Sequence, residues 1–193
     1  MLKRLITSRE ALLMLIILVL IGLVAIRFPR FITLSNLAGV FNDTSPLILL
    51  AIGQMIVILT KCIDLSVAAN LALTGMVVAM INVAAPGVPV VVIIAVAIGL
   101  GALMGAFNGL LVWKLDIPPI VVTLGTMTIY RGTVFVISNG KWVNSHEMTQ
   151  AFKAFPRYEL FGMPMMSWTA IIAVIIFFIV MTRTTLGRSF YAV

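Results

Sequence analysis

The sequence predicts an all-α polytopic membrane protein of about six transmembrane helices, and three observations carry that prediction. Hydrophobic residues fill 62% of the 193 positions and charged residues only 10%, whereas soluble domains carry about 25% charge. Mean hydropathy is +1.21. The few charges punctuate apolar runs long enough to cross a bilayer, which takes about 20 residues per helix. The net charge of +7 therefore reads as topology rather than as a nucleic-acid patch, and no nucleic-acid partner is expected. Cys62 is the only cysteine and His146 the only histidine, so an internal disulfide and a zinc or iron site are excluded. No Ser/His/Asp or Cys/His arrangement stands out, and the sequence predicts neither a catalytic residue nor a cofactor.

Lys3, Arg4 and Arg9 precede the first apolar run, residues 11–26, which lacks a small-x-small cleavage site before Arg27. It reads as an uncleaved first span with a cytoplasmic N-terminus, stopped by Arg27-Phe28-Pro29-Arg30. A loop or short surface helix is expected next. Asp43-Thr44-Ser45-Pro46 then carries the signature of a helix start, with capping side chains followed by proline at the first turn. From Pro46 to Ala84 the chain is apolar except at Lys61-Cys62-Ile63-Asp64-Leu65-Ser66. One helix of that length would reach about 58 Å, roughly twice a hydrocarbon core. Two spans are expected instead, 46–60 and 67–83, with Asp64 or Ser66 capping the second. Both are short. The turn is either an ordinary interfacial one or is drawn into the membrane, as broken helices are where they line a site.

Ala85-Pro86-Gly87-Val88-Pro89 marks a tight reversal, and 90–113 the next span. Within it Ala97, Gly101, Gly105 and Gly109 recur every fourth residue, a pattern that lets helix backbones approach closely. This row predicts a packing seam and says nothing of substrate. Asn108 on the same span is an interhelical hydrogen-bonding residue or a site residue.

The stretch from Ile117 to Gly132 organises the rest. Pro118 and Pro119 open a span over 119–137, where missing N–H groups do no harm to a first turn. Thr123, Thr126, Tyr130 and Thr133 then fall on one helical face. Arg131 sits inside the same run. Nine Leu, Ile, Val or Phe side chains favour insertion by roughly 4 kcal/mol, and a central Arg costs about 3. Such a span is marginal alone and needs helical neighbours. The hydroxyl face either bonds to those neighbours or borders a translocation path, and Arg131 either snorkels to the interface or joins that path. Residues 139–166 turn polar and are expected to form a periplasmic loop with a short amphipathic helix. A last span covers 168–181.

Six spans from a cytoplasmic N-terminus place Lys3, Arg4, Arg9, Lys61, Lys114, Arg183 and Arg188 inside. Arg27, Arg30, Lys141, Lys153 and Arg157 fall outside, three of them in the long loop beside Glu147 and Glu159. The short connections thus obey the positive-inside rule.

Several motifs occur together and in order: Ile63-Asp64-Leu65-Ser66-Val67, Asn108-Gly109, Ile117-Pro118-Pro119 with Val122-Thr123-Leu124-Gly125-Thr126, Arg131-Gly132, and a closing Gly187-Arg188 with Tyr191-Ala192-Val193. Together they resemble the permease subunits of bacterial ATP-binding-cassette importers of the ribose and branched-chain amino acid type. Lys61-Cys62 stands where many sugar members have two glycines, and Ala68-Ala69-Asn70 where they have Gly-Ser. With Asn42-Asp43-Thr44-Ser45 and Lys141-Trp142-Val143-Asn144, the variant looks closest to rhamnose or autoinducer-2 permeases. The resemblance implies a separate ATPase subunit, a periplasmic substrate-binding protein, a second permease subunit and a place in the bacterial inner membrane. It also implies that the sequence covers roughly the first half of such a permease, stopping as the ATPase-docking segment begins, and so cannot transport by itself. A nucleotide site within the chain is not expected. Gly140-Lys141 has Phe135 where a Walker motif needs glycine, and Trp142 where it needs Ser or Thr.

Two other readings stay open on the sequence alone. A secondary transporter or channel predicts membrane-buried acids along a path, whereas Asp64 sits at a turn and Asp43 and Asp116 outside the spans. A non-transporting membrane scaffold needs only the small-residue row.

Overall fold

The computed structural model describes residues 9–192, so Lys3 and Arg4, on which the cytoplasmic N-terminus rests, lie outside the described residues. The chain is an all-α polytopic membrane protein with eight α-helices among the described residues. Five are long and apolar enough to cross a membrane, and the apolar stretch Ala11–Arg27 is shorter. Two compact units divide it, Met1–Thr44 and Ser45–Val193.

In the first unit α1 (Arg9–Arg27) is apolar all round and exposed along Leu12 to Leu20, as a helix bathed in lipid would be. The Arg27 guanidinium stacks over the Phe28 ring at 5.1 Å, and a 3-10 turn, Pro29–Ile32, follows. The next helix, α2, runs Leu34–Leu59 without a break at Pro46. The expected helix start at 43–46 is therefore misplaced by twelve residues (46 − 34). The reason is local: the Thr44 hydroxyl donates back to the Val40 carbonyl within the helix instead of capping a new one.

In the second unit α3 (Val67–Ala84) packs against both α4 (Val90–Leu115) and α5 (Pro119–Ser138). Ala69, Met104 and Tyr130, one from each helix, form the buried centre, ringed by Leu73, Leu100 and Met127. Small Ala69 lets the helices close while the Tyr130 hydroxyl donates to the Met104 carbonyl at 3.2 Å. Most large aliphatic side chains face outward, as expected where lipid replaces water. Asp116 and Asn139 end α4 and α5 in the left-handed conformation, which short polar side chains tolerate.

Beyond Asn139 lie a short helix α6 (Gln150–Ala154), a 3-10 turn Phe155–Arg157 and a small β-hairpin, β1 (Glu159–Leu160) with β2 (Met163–Pro164). Phe161 and Gly162 turn that hairpin with positive φ at both positions. Trp168 fastens it to α7 (Met165–Arg183) by donating from its indole to the Leu160 carbonyl at 2.8 Å. An elbow at Thr184 leads into α8 (Thr185–Tyr191).

The loop is pinned to α3 by one residue. Asn82 is buried, its Nδ2 donates to Thr149 Oγ1 and its Oδ1 accepts from the Thr149 N–H, both at 2.9 Å. Thr149 in turn caps α6. Asn82→Leu deletes both bonds at a cost of about 1–2 kcal/mol. Tryptic cleavage after Lys153 and Arg157 should then rise roughly tenfold in purified protein. Unchanged cleavage would mean that the loop is held elsewhere.

Candidate functional site

The break between α2 and α3 gathers the polar groups of the second unit. Lys61 adopts φ 57 and ends α2 in the left-handed region. Three residues later the chain doubles back so that Asp64 Oδ1 accepts from both the backbone N–H and the hydroxyl of Ser66, each at 2.7 Å. Ser66 occupies the N-cap position of α3, but the cap is not made by its own side chain. Asp64 supplies the anionic oxygen, which also suits the positive end of the helix dipole.

Three neighbouring helices hold this turn. From α4, Asn108 Nδ2 donates to Ser66 Oγ at 2.8 Å, with both residues buried. From α5, Thr123 Oγ1 reaches the Ile63 carbonyl at 3.3 Å and its own Pro119 carbonyl at 2.8 Å. From α2, Gln54 Nε2 donates to the Asp64 carbonyl at 3.4 Å. Asn108 lies seven residues before the end of α4 (115 − 108), so the start of α3 is recessed about 10 Å from that end.

The hydroxyl face of α5 is mostly spent inside the chain. Thr123, Thr126 and Tyr130 are buried, Thr126 donating to the Thr123 carbonyl at 3.3 Å. Thr133 is half-buried and bonds back to the Ile129 carbonyl at 2.8 Å. Arg131 is exposed and lines a cavity of about 410 Å³ together with Lys141, Trp142 and Ser138. It is thus apart from the Asp64–Ser66–Asn108 cluster. The small-residue row on α4 is little used within this chain. Only Gly101 approaches a neighbour among the described residues, with Asn70 Oδ1 3.9 Å from where a Cβ would stand. Gly105 and Gly109 face open space. The face of α4 that packs inward carries Ile93, Met104 and Asn108, beside Ala97 and Gly101, while Gly105 and Gly109 turn progressively away from it.

Gln54, Asn82 and the Met104 carbonyl were not singled out in the sequence. A lone amide in an apolar run was the available signal for the first two, and a backbone acceptor leaves none.

Comparison with known proteins gives a consistent picture. Residues 36–193 match the family described as the branched-chain amino acid transport system permease component. The autoinducer 2 import system permease protein LsrC of Enterobacter sp. is 37% identical over 99% of this chain and 54% of its own length. Its namesake in Yersinia enterocolitica is 35% identical over 96% of this chain and 50% of its own length, and that of Yersinia pseudotuberculosis 35% over 100% and 54%. The chain spans about half the length of these curated relatives. No solved structure matches it.

Proposed function

This chain belongs to the permease component family of branched-chain amino acid transport systems, and on that premise we propose that it forms part of the translocation path of an ATP-driven importer for a small carbohydrate. A rhamnose-like sugar or an autoinducer-2-like compound is the cargo that the relatives' names favour. The family places it as a multi-pass protein of the inner membrane. Our reading adds a cytoplasmic N-terminus, a separate ATPase subunit, a periplasmic binding protein and a second permease subunit. One observation carries the assignment of the path: the recessed turn, where Asp64, Ser66 and Asn108 meet at a helix break beside two cavities. A scaffold needs no such break.

On this reading Thr123, Thr126 and Tyr130 brace the path from within, while Thr133 and Arg131 border water. In a Cys62→Ala background, cysteine at Thr133 should react with a small water-soluble thiol reagent. Cysteines at Thr123 and Thr126 should be protected by burial, and those at Val121 and Ile129 by lipid. Equal labelling at all five positions would remove the assignment. The function is tested by producing a full-length permease that contains these residues, together with the second permease subunit, the ATPase and the binding protein, in cells unable to take up the sugar. Uptake that requires ATP supports the importer. Uptake that follows the proton gradient instead would establish a secondary transporter, and absence of uptake in the complete system would overturn the proposal.

A further inference from the structure

The hydroxyl hydrogens beside the α2–α3 turn are committed, and one buried oxygen there is left without a donor. Ser66 has one hydroxyl hydrogen, and Asp64 takes it. Ser66 Oγ can then only accept from Asn108, which fixes the Asn108 amide with its NH₂ toward Ser66 and its Oδ1 turned away. That Oδ1 is buried and has no hydrogen-bond partner among the described residues, on a side chain only 5% exposed. Asn108 and Asp64 both line a cavity of about 200 Å³. The other hydroxyl and thiol hydrogens on its wall are spent as well. Thr60 donates to the Val57 carbonyl, Thr123 to Pro119 and Ile63, and the Cys62 thiol to the Thr60 carbonyl. The hydroxyls and the thiol on this wall are thus committed, while Asn108 Oδ1 and the Asp64 carboxylate remain free to accept. A buried acceptor left without a partner costs about 1–3 kcal/mol, so such a lining is built for something that brings hydrogens with it.

We propose that this cavity is a binding site for a small neutral polyol, whose hydroxyls donate to Asn108 Oδ1 and to the Asp64 carboxylate. The chemistry selects the class. A carboxylate or phosphate ligand would meet the Asp64 carboxylate and bring no hydrogen to Asn108 Oδ1. An apolar ligand would leave Asn108 Oδ1 as it is. The room equals roughly six or seven liquid-water volumes, enough for a short carbon chain with its hydroxyls. Gly105 and Gly109 form one side of the cavity, with open space where a Cβ would stand. Their small size thus serves the cavity rather than a helix contact within this chain. The inference rests on the carbohydrate-importer reading and adds a resting place for the cargo at the recessed end of the path.

The single native cysteine provides the test, since half-buried Cys62 lines the same cavity. Alkylation of Cys62 by N-ethylmaleimide is followed in membranes without ATP, so the result does not depend on transport. Ribitol at about four times its dissociation constant should slow alkylation about fivefold, as mass action requires. Fully O-methylated ribitol, of similar shape but without donors, should not. Gly105→Leu fills the cavity without touching the polar cluster and should abolish protection. Asp64→Asn, which keeps the Ser66 contacts but turns one free acceptor into a donor, should weaken it. Retention of tritiated ribitol by the wild type and its loss in Gly105→Leu is the second measurement, independent of the thiol. Protection by sodium chloride alone, equal protection by the methylated compound, or protection persisting in Gly105→Leu would each overturn the proposal. ATP-dependent uptake without ribitol protection would sink this inference and leave the importer reading standing, while protection without uptake would do the reverse.

Discussion

Gly187→Ala should unlock the elbow between α7 and α8. A methyl group there would stand 2.4 Å from the Met181 carbonyl oxygen, 2.5 Å from that of Val180 and 2.6 Å from the Met181 Cα. All three are backbone atoms, so no side chain can swing aside to make room. The same elbow is stitched by Thr184, whose hydroxyl donates to Val180 at 2.6 Å and accepts from the Gly187 N–H at 3.3 Å. Relieving the clash means giving up that stitch and moving α8 away from α7. Overpacking of this kind costs typically 1–3 kcal/mol, most of what a seven-residue helix gains by docking. Arg183 and Arg188 flank the elbow, so trypsin reads its opening directly. Cleavage there should accelerate tenfold or more, while cleavage in the loop beyond Asn139 stays unchanged. Serine at the same position should behave like alanine, because both carry the offending Cβ. Wild-type cleavage in both variants would mean that the backbone yields without losing its contacts.

Ser66→Ala should be the most damaging small substitution in the recessed turn. It removes the only partner of the Asn108 amide group among the described residues and one of the two donors to Asp64 Oδ1, leaving a buried NH₂ unpaired. Interhelical hydrogen bonds in membranes average about 0.6 kcal/mol and reach about 1.7. The stranded amide puts this one at the upper end, and a fall of several degrees in thermal midpoint is expected in detergent. Adding Asn108→Leu should recover part of the loss, because an apolar pair costs less than a polar group left alone. Additive losses in the double variant would show that the two side chains do not act as a pair.

The long spans were legible because periodicity and charge punctuation operate over twenty residues, and chance seldom sustains them that far. The ends of α2 were not. Asp43-Thr44-Ser45-Pro46 is written like a cap, yet inside a membrane helix a threonine hydroxyl satisfies itself on the preceding turn, so the local grammar of water-soluble helices misleads. The hairpin at Glu159–Leu160 and Met163–Pro164 was invisible for another reason. Strands of two residues are too short to show alternation. In the candidate site, the motif around Asp64 and Ser66 could be read, and so could the face of Thr123, Thr126 and Tyr130. Which partner each hydroxyl takes could not, since acceptors such as the carbonyls of Ile63 and Met104 belong to backbone that every residue shares.

The unequal lengths of α3 and α4 carry a mechanical consequence. At 18 and 26 residues they measure about 27 and 39 Å, and the bond from Ser66 to Asn108 puts nearly all the excess at one end. The tight reversal from Ala85 to Pro89 leaves the other ends almost level. A rigid tilt of α3 therefore acts through a shorter arm than the length of α4 suggests. On the proposed importer reading, with Lys61 and Lys114 on the cytoplasmic side, a solute lodged at the recessed turn has about a quarter of the length of α4 left to travel, so the stroke that finishes its passage is correspondingly small.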